Sequence, residues 1–379
     1  MGIEASKIKR RSGGRIKLQP RSWPRFSPST RSKTSSMEVR PSNAPTTAAD
    51  DVPDFRWMEG RKYHAVKGSS YFLPRDNQEI DRLIMQHYLV KSIFEGSVLS
   101  AAEQVFTRKD ATILDVGCGP GTWIIDIAAD HPDTECHAID MSPIFPETLN
   151  PPNISFHKCN VLEGLPFEDE SFDFVHMRSL IFGLRAGEWP AVLAELFRVT
   201  KPGGFIQLVE SEVAYVTADP ACYAHMEKRT SMVLTTWVWL VGGYRLYQDR
   251  SVTLCSSEIS AVVVCSILSM GGQDPYVATH LAALVPSAGF QLVTHEKRSI
   301  AVVRLTFNSR YELGWNGQLS EIWFNDAKAI GQATKTVFAP ALNKTLDEYD
   351  EYVDDLVNKL RDSRSYTNWH AVLGRRPLA

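Results

Sequence analysis

Ile113-Leu114-Asp115-Val116-Gly117-Cys118-Gly119-Pro120-Gly121 is the stretch from which the fold is read. The apolar run Ala111–Val116 is short and unbroken, the pattern of a strand buried on both faces. A glycine-rich turn follows over Gly117–Gly121, and Thr122–Ala129 then reads as a helix. Glycine in such a turn lets the backbone approach a ligand with no Cβ in the way. The turn also aims backbone N–H groups and a helix N-terminus at that ligand, which suits a carboxylate as well as a pyrophosphate. Spacing separates the two. The dinucleotide fingerprint is G-x-G-x-x-G, whereas here the glycines stand at 117, 119 and 121 and position 122 is Thr. The preceding acid, Asp115, suits a ligand bearing an ammonium group and opposes a diphosphate. The candidate ligand contacts of the turn are Asp115, Gly117, Cys118, Gly119 and Gly121.

Downstream, strands are expected at Glu135–Ile139, Ile154–Cys159, Phe172–Met177 and Phe205–Val209, with a helix over Glu188–Val199 that Lys201-Pro202-Gly203-Gly204 ends. Strands alternating with helices imply a parallel, doubly wound α/β sheet. Such sheets bind ligands outside the carboxyl ends of their strands. Asp140 stands at the second of those ends, followed by Met141. An acid there accepts both hydroxyls of a ribose, so it indicates an adenosine-type ligand without choosing between nucleotide families. At the third end, Asn160 and Val161 offer a side-chain amide and a backbone N–H to an adenine edge; an ordinary turn residue is the competing reading of Asn160. Met177, with Arg178 and Ser179, ends the fourth strand and faces the same crevice.

Upstream, a helix is expected within residues 71–95. Pro74 precedes Asp76 as N-cap, and Glu79 stands where a capping box needs it. Ile80, Leu83, Ile84 and His87 mark one helical face. Tyr63, Tyr71 and Arg82 are candidates to line or close the site, with Arg82 pairing either a ligand carboxylate or its neighbours Asp81 and Glu79. Beyond residue 211, helices are expected at Ala221–Leu240, Ala278–Ala288 and Asp347–Leu360, and strands at Phe290–His295 and Tyr366–Leu373. Val252–Met270 has no clear period and reads as an insertion or as sequence foreign to the core. Trp237, Trp239, Tyr244 and Tyr247 read as a lid over an apolar ligand or as helix core.

The chain has 379 residues, 44% hydrophobic, enough for one large core or two modest ones. Its first 40 residues hold eleven Lys or Arg against two acids, a balance of +9. The whole-chain charge is −3, so no nucleic-acid partner is expected, and the remainder carries −12, which makes tail and body electrostatically different. Residues 1–54, rich in Arg, Ser and Pro, bury too little apolar surface to offset ordering entropy and are expected to be a disordered tail. Lys9-Arg10-Arg11 fits a nuclear address, the Arg/Ser bias a mitochondrial presequence, and Gly2 with Ser6 a myristoylation pattern. A plain solvated tail is the competing reading. The six cysteines (118, 136, 159, 222, 255 and 265) form no CxxC pair, so no metal site is expected and reduced thiols in a cytoplasmic protein fit best. No apolar run is long enough to span a membrane.

With these pieces in order, the chain resembles the class I S-adenosylmethionine-dependent methyltransferases. More narrowly it looks like the fungal group that includes regulators of secondary metabolism and enzymes encoded in metabolite gene clusters. The resemblance rests on Gly60-Arg61-Lys62-Tyr63-His64, Tyr71-Phe72-Leu73-Pro74-Arg75-Asp76, Glu79–Leu83 and Gln86-His87. It continues through Asp115–Gly121, Leu165-Pro166-Phe167, Ser171–Arg178, Phe197-Arg198, Lys201–Gly204 and the ending Trp369…Gly374-Arg375-Arg376-Pro377. It implies a Rossmann-like fold with a doubly wound, mostly parallel seven-stranded sheet, an N-terminal helical extension (55–110), a cofactor-binding half (111–215) and a variable, helical, substrate-facing half (216–379). It implies S-adenosyl-L-methionine as cofactor, with Asp115, Gly117, Gly119 and Gly121 at the methionyl end, Asp140 at the ribose, and Asn160 with Val161 at adenine. Many members carry Asp where this chain has Asn160; the amide loses an acceptor and gains a donor. Methyl transfer needs mainly alignment, so no catalytic set is written into the sequence; His87 and His176, with His225 behind them, are the candidates for a base. Two outputs remain open: transfer to a small-molecule acceptor, or a regulator acting through a protein partner. A nicotinamide oxidoreductase is disfavoured by the glycine spacing.

Overall fold

In a computed structural model of the protein, the structure describes residues 55–66, 68–146, 150–216, 264–302, 317–363 and 365–378. The expected tail (1–54), the helix Ala221–Leu240, His225 and the aromatic group around Trp237 lie outside the described residues.

Chain order places a hairpin first, β1 (Phe55–Met58) and β2 (Arg61–His64), then helix α1 (Asn77–Ile93). Next come β3 (Thr112–Val116), α2 (Thr122–Asp130), β4 (Glu135–Asp140), β5 (Ile154–Lys158), β6 (Phe172–Arg178), α3 (Trp189–Val199) and β7 (Thr200–Ser211). The described C-terminal part supplies α4 (Val277–Ser287), β8 (Gln291–Ala301), α5 (Gly317–Ala333), α6 (Lys335–Ala341), α7 (Leu346–Asp362) and β9 (Tyr366–Arg375). The seven long-range strands form one sheet in the order β5-β4-β3-β6-β7-β9-β8. The five strands from β5 to β7 run parallel, while β9 is antiparallel to both β7 and β8. The expected doubly wound, mostly parallel seven-stranded sheet is therefore present, and its order reverses between β3 and β6, the switch point at which such sheets bind ligands.

Apolar cores on both faces hold the sheet. All five residues of β3 are buried. Ile113 belongs to one core with Leu89, Trp123, Trp323 and Trp369, whereas Leu114 and Val116 belong to the other with Leu193, Leu281 and Val372. Helices α1, α2, α5 and α7 thus cover one face, and α3 and α4 the other. A smaller cluster of Phe338, Tyr349, Val353 and Val357 joins α6 to α7.

Several local expectations need correction. The capping box at α1 is only half formed: the Asp76 carboxylate accepts the Glu79 N–H at 3.1 Å, but the Glu79 side chain turns to Arg82 instead of back to the cap. A full box stands at α7, where Thr345 and Glu348 cap one another. Lys201–Gly204 does not separate helix from strand; it lies inside β7, which begins at Thr200 and carries an irregularity where it pairs with Phe172–Phe174 of β6. The C-terminus of α3 is closed from elsewhere, by the Arg376 guanidinium donating to the carbonyls of Phe197 at 2.9 Å and Thr200 at 2.7 Å. β8 runs to Ala301, well past the expected His295. Of Val252–Met270, residues 264–270 are helical and the rest lies outside the described residues. The extension before β3 is not all helix, because the β1–β2 hairpin precedes it.

Candidate functional site

The loop after β3 is built as its sequence requires. Gly117, Gly119 and Gly121 all have positive φ, and the loop is pinned by Cys118 N–H donating to Ile139 O at 3.0 Å and Gly121 N–H to Cys118 O at 2.9 Å. A Cβ at Gly121 would stand 2.7 Å from a ring carbon of Phe156, whereas one at Gly119 would meet only Leu83 Cδ1, at 3.8 Å. The loop is closely packed beneath Gly121 and open above Gly119.

Asp140, at the end of β4, is brought to this loop. One carboxylate oxygen accepts the Gly119 N–H at 2.9 Å and the other the Ser142 N–H at 2.7 Å. The side chain keeps partial exposure. Burial pushes its carboxyl up to about 6, against the two N–H bonds and assisted by the charge of Asp115. Met141 is half-buried, its sulfur 4.0 Å from Ser69 Oγ. Asp115 lies deeper. Its carboxylate is buried and meets the His176 ring nitrogen Nδ1 at 2.8 Å, and that ring is stacked on Trp123 at 3.9 Å. Cys118 is no nucleophile: burial, then Asp140 and Asp115, raises its thiol well above the ordinary value.

The adenine-side residues are arranged more modestly. Asn160 caps a short turn over Val161–Glu163, its oxygen accepting from Leu162 N–H at 3.2 Å and its amide donating to Glu163 at 3.0 Å. Val161 is half-buried against the core. Met177 departs from its expected position. At 1% exposure it is part of the core with Val116 and Ile139 and does not face the crevice. Ser179, just past the end of β6 and turned by its positive φ, lines the cavity instead.

Arg82 is buried and held by two carboxylates, Glu79 at 2.6 Å and Asp326 of α5 at 3.0 Å; Asp81 is not its partner. Gln86 also donates to Asp326, at 3.3 Å. Burial lowers the affinity of Arg82 for its proton, but Asp326 and Glu79 outweigh that and the guanidinium is held firmly charged. Tyr71 stands beside this trio on the cavity wall, and Tyr63 is buried with its hydroxyl 3.4 Å from Thr336.

Both described histidine candidates are interior groups. His87 is fully buried, its Nδ1 3.3 Å from an Arg178 nitrogen and its Nε2 3.5 Å from Asp126. Burial lowers the pKa of His87 despite Asp126, and that of His176 despite Asp115. The cavity they share is about 10 Å³, room for one water, so neither meets a substrate-sized space there.

A cavity of that larger kind lies a short way off. It has a volume of about 120 Å³ and is walled by α1, α5, α6, α7 and the segments after β6 and β7. Tyr71, Leu83, Ser179, Phe182, Glu212 and Tyr215 are among its lining residues. Leu83 also borders the space above Gly119, so cavity and loop share a wall. The sequence reading missed this chamber, since its aromatic residues in the C-terminal helices carry ordinary core spacing. Glu212, one residue past the end of β7, had a legible signal in its place at a strand's carboxyl end. Among the described residues no cluster fit to hold a metal occurs, and no helix is long and apolar enough to cross a membrane.

Comparison with known proteins adds to this geometry. Residues 113–204 match a family described as a methyltransferase domain. The chain is similar to N-methyltransferase tcpN of Claviceps purpurea (34% identity; 46% of this chain, 62% of the relative). It is also similar to methyltransferase pytC of Aspergillus terreus (29%; 44% and 49%) and to the secondary metabolism regulator laeA of Monascus pilosus (33%; 43% and 42%). The chain spans about half the length of the relatives it matches. Among solved structures, phosphoethanolamine N-methyltransferase 2 of Haemonchus contortus is 16% identical with a TM-score of 0.37, over 83% of this chain and 62% of that one. The strand order and the loop after β3 are Rossmann-like, and within them residues 113–204 match the methyltransferase-domain family.

Proposed function

We propose that the chain transfers a methyl group from S-adenosyl-L-methionine to a small molecule seated in the cavity beside α1. The shared wall at Leu83 carries this reading: a donor lying over Gly119 and an acceptor in the 120 Å³ cavity occupy neighbouring compartments at the strand ends. The open space at Gly119 and the Asp140 carboxylate beside it, which keeps partial exposure, fit an adenosyl amino acid. Bound there, S-adenosylmethionine supplies a methyl carbon on a sulfonium whose leaving group is a neutral thioether. Asp140 accepts from the ribose, while Asn160 and Val161 border the adenine. Asp115, one oxygen held by His176, sets a negative field beneath the amino end. Residues 111–215 serve the donor and 216–379 chiefly the acceptor. The protein's task is alignment and exclusion of water, effects worth roughly 7–11 kcal/mol in favourable cases.

Calorimetry with S-adenosylhomocysteine tests the donor site, and a labelled-methyl assay against cell extract tests transfer. Binding together with label on small molecules supports the reading. Tight NADH binding without S-adenosylhomocysteine binding refutes it. The similarity to relatives named as secondary metabolism regulators favours a second reading, a regulator acting through a protein partner; label confined to protein, or absent despite cofactor binding, selects it.

A further inference from the structure

Glu212 is an unusual wall for a mostly apolar cavity. It follows β7, and its carboxylate is fixed from neighbouring strands. One oxygen accepts His370 Nε2–H at 2.8 Å and lies 3.3 Å from Lys297 Nζ; the other accepts the Asn368 amide at 3.0 Å. Behind His370, its Nδ1 is 2.8 Å from His295 Nε2. A carboxylate has about four acceptor positions. Three are taken, and one on the oxygen bonded to Asn368 has no partner among the described residues. The side chain is 17% exposed and lines the cavity.

Charge and aromatic surface elsewhere on the wall point the same way. Arg82 is the cation of the lining, but it is shared between Glu79 and Asp326. Even with the Asp326 carboxyl pushed up by burial, the trio carries no net positive charge. Tyr71, Phe182, Tyr215, Trp323 and Tyr352 present rings to the same space, and ring faces attract cations. Burial raises the Glu212 carboxyl, but His370, Asn368 and Lys297 prevail and hold it below its usual range, so it is ionised at neutral pH.

We propose that this cavity binds a small primary or secondary amine with an apolar body, its ammonium group on the vacant acceptor position of Glu212 and its body among the rings. This rests on the cavity being the acceptor site of the methyl transfer proposed above, and it names the class of acceptor: the ammonium first gives a proton to water, and the freed nitrogen lone pair then forms the N–C bond as the S–C bond breaks and the neutral thioether leaves. A neutral alcohol of the same shape makes a weaker, uncharged hydrogen bond there, so the pocket discriminates by charge.

The test uses the full chain with S-adenosylhomocysteine present and 4-fluorobenzylamine and 4-fluorobenzyl alcohol as probes, followed by fluorine NMR at neutral pH. The amine is expected to bind at least about tenfold tighter than the alcohol. Glu212→Gln should abolish that preference. Lys297→Met, a change at a half-exposed side chain that removes a competing cation, should increase it and decides the matter should E212Q fail to fold. Equal affinities in the wild type, a preference that survives E212Q, or no binding of either probe at low millimolar concentration overturns the proposal. Calorimetry of S-adenosylhomocysteine on the same samples separates the two readings. Cofactor binding without amine preference sinks this inference alone, and amine preference without cofactor binding sinks the transferase reading while the amine site stands.

Discussion

Gly119→Ala and Gly121→Ala make a matched pair that tests whether the loop after β3 is shaped for a ligand or only for its own packing. Both glycines have positive φ, +55° and +75°, so either substitution pays the left-handed penalty of about 1–2 kcal/mol. At Gly119 that is nearly the whole folding cost, because the new Cβ meets nothing closer than 3.8 Å. At Gly121 the Cβ would sit 2.7 and 2.8 Å from two ring carbons of Phe156, and overpacking adds about 1–3 kcal/mol. With roughly 2–4 °C per kcal/mol for a domain of this size, Gly119→Ala should melt a few degrees low and Gly121→Ala clearly lower. Ligand binding should rank the other way. The Gly119 methyl projects into the space assigned to the donor, so the affinity for S-adenosylhomocysteine should fall by about a hundredfold, near 2.7 kcal/mol. Folded Gly121→Ala should lose much less. Differential scanning fluorimetry and calorimetry on the two purified variants measure both quantities. Wild-type affinity in Gly119→Ala, or a greater binding loss in folded Gly121→Ala, would refute the placement of the donor.

Asp140→Ala should weaken S-adenosylhomocysteine binding by well over tenfold, since a charge-assisted hydrogen bond is worth about 1.5–3 kcal/mol; an unchanged isotherm contradicts the ribose assignment. Because the Asp140 carboxyl is pushed up to about 6 by burial, wild-type affinity should decline as pH falls through 6, and Asp140→Asn should flatten that dependence. Glu210, buried and accepting the Leu180 N–H at 2.7 Å, has its carboxyl raised to about 8 by burial, against those N–H bonds and Arg178. A raised carboxyl binds its proton more tightly folded than unfolded, so its contribution is present at low pH and is lost as pH climbs toward 8, at up to about 1.4 kcal/mol per pH unit. Glu210→Gln should remove that slope from the thermal melts, and an identical slope in both proteins rejects the burial argument. Arg82→Met leaves Glu79 and Asp326 facing each other without a cation and should cost about 3–5 kcal/mol; a melting temperature within a degree of wild type would show that the trio is loosely solvated.

The sequence reading was strongest where one physical cause dominates. β3, the turn Gly117–Gly121 and α2 were legible because a strand buried on both faces is uniformly apolar and the turn backbone demands glycine. The position of Asp140 beside that turn was legible for a related reason, since it ends β4, the strand next to β3. Met177 was misplaced because β6 is buried on both faces up to that residue, and the chain turns toward the cavity only two residues later, at Ser179. The half-formed box at Asp76 failed through competition: Glu79 had a buried guanidinium within reach, at a position in α5 that no local pattern announces. The β1–β2 hairpin turns at Glu59-Gly60, both with positive φ, a two-residue signal outweighed by the polarity of its surroundings. The cavity was invisible because α1, α5 and α7 meet only in three dimensions, so its aromatic residues were indistinguishable from core.

The position of β9 between β7 and β8 bears on how the molecule comes into being. During synthesis β8 emerges before the strand that will flank it, so both its ladder and the free margin of β7 wait for a segment made later. Until then two hydrogen-bonding margins stand open to any passing extended peptide. Assembly of this half of the sheet is therefore a late, long-range event, and chaperone capture or tangling with a neighbouring nascent chain should concentrate in that interval.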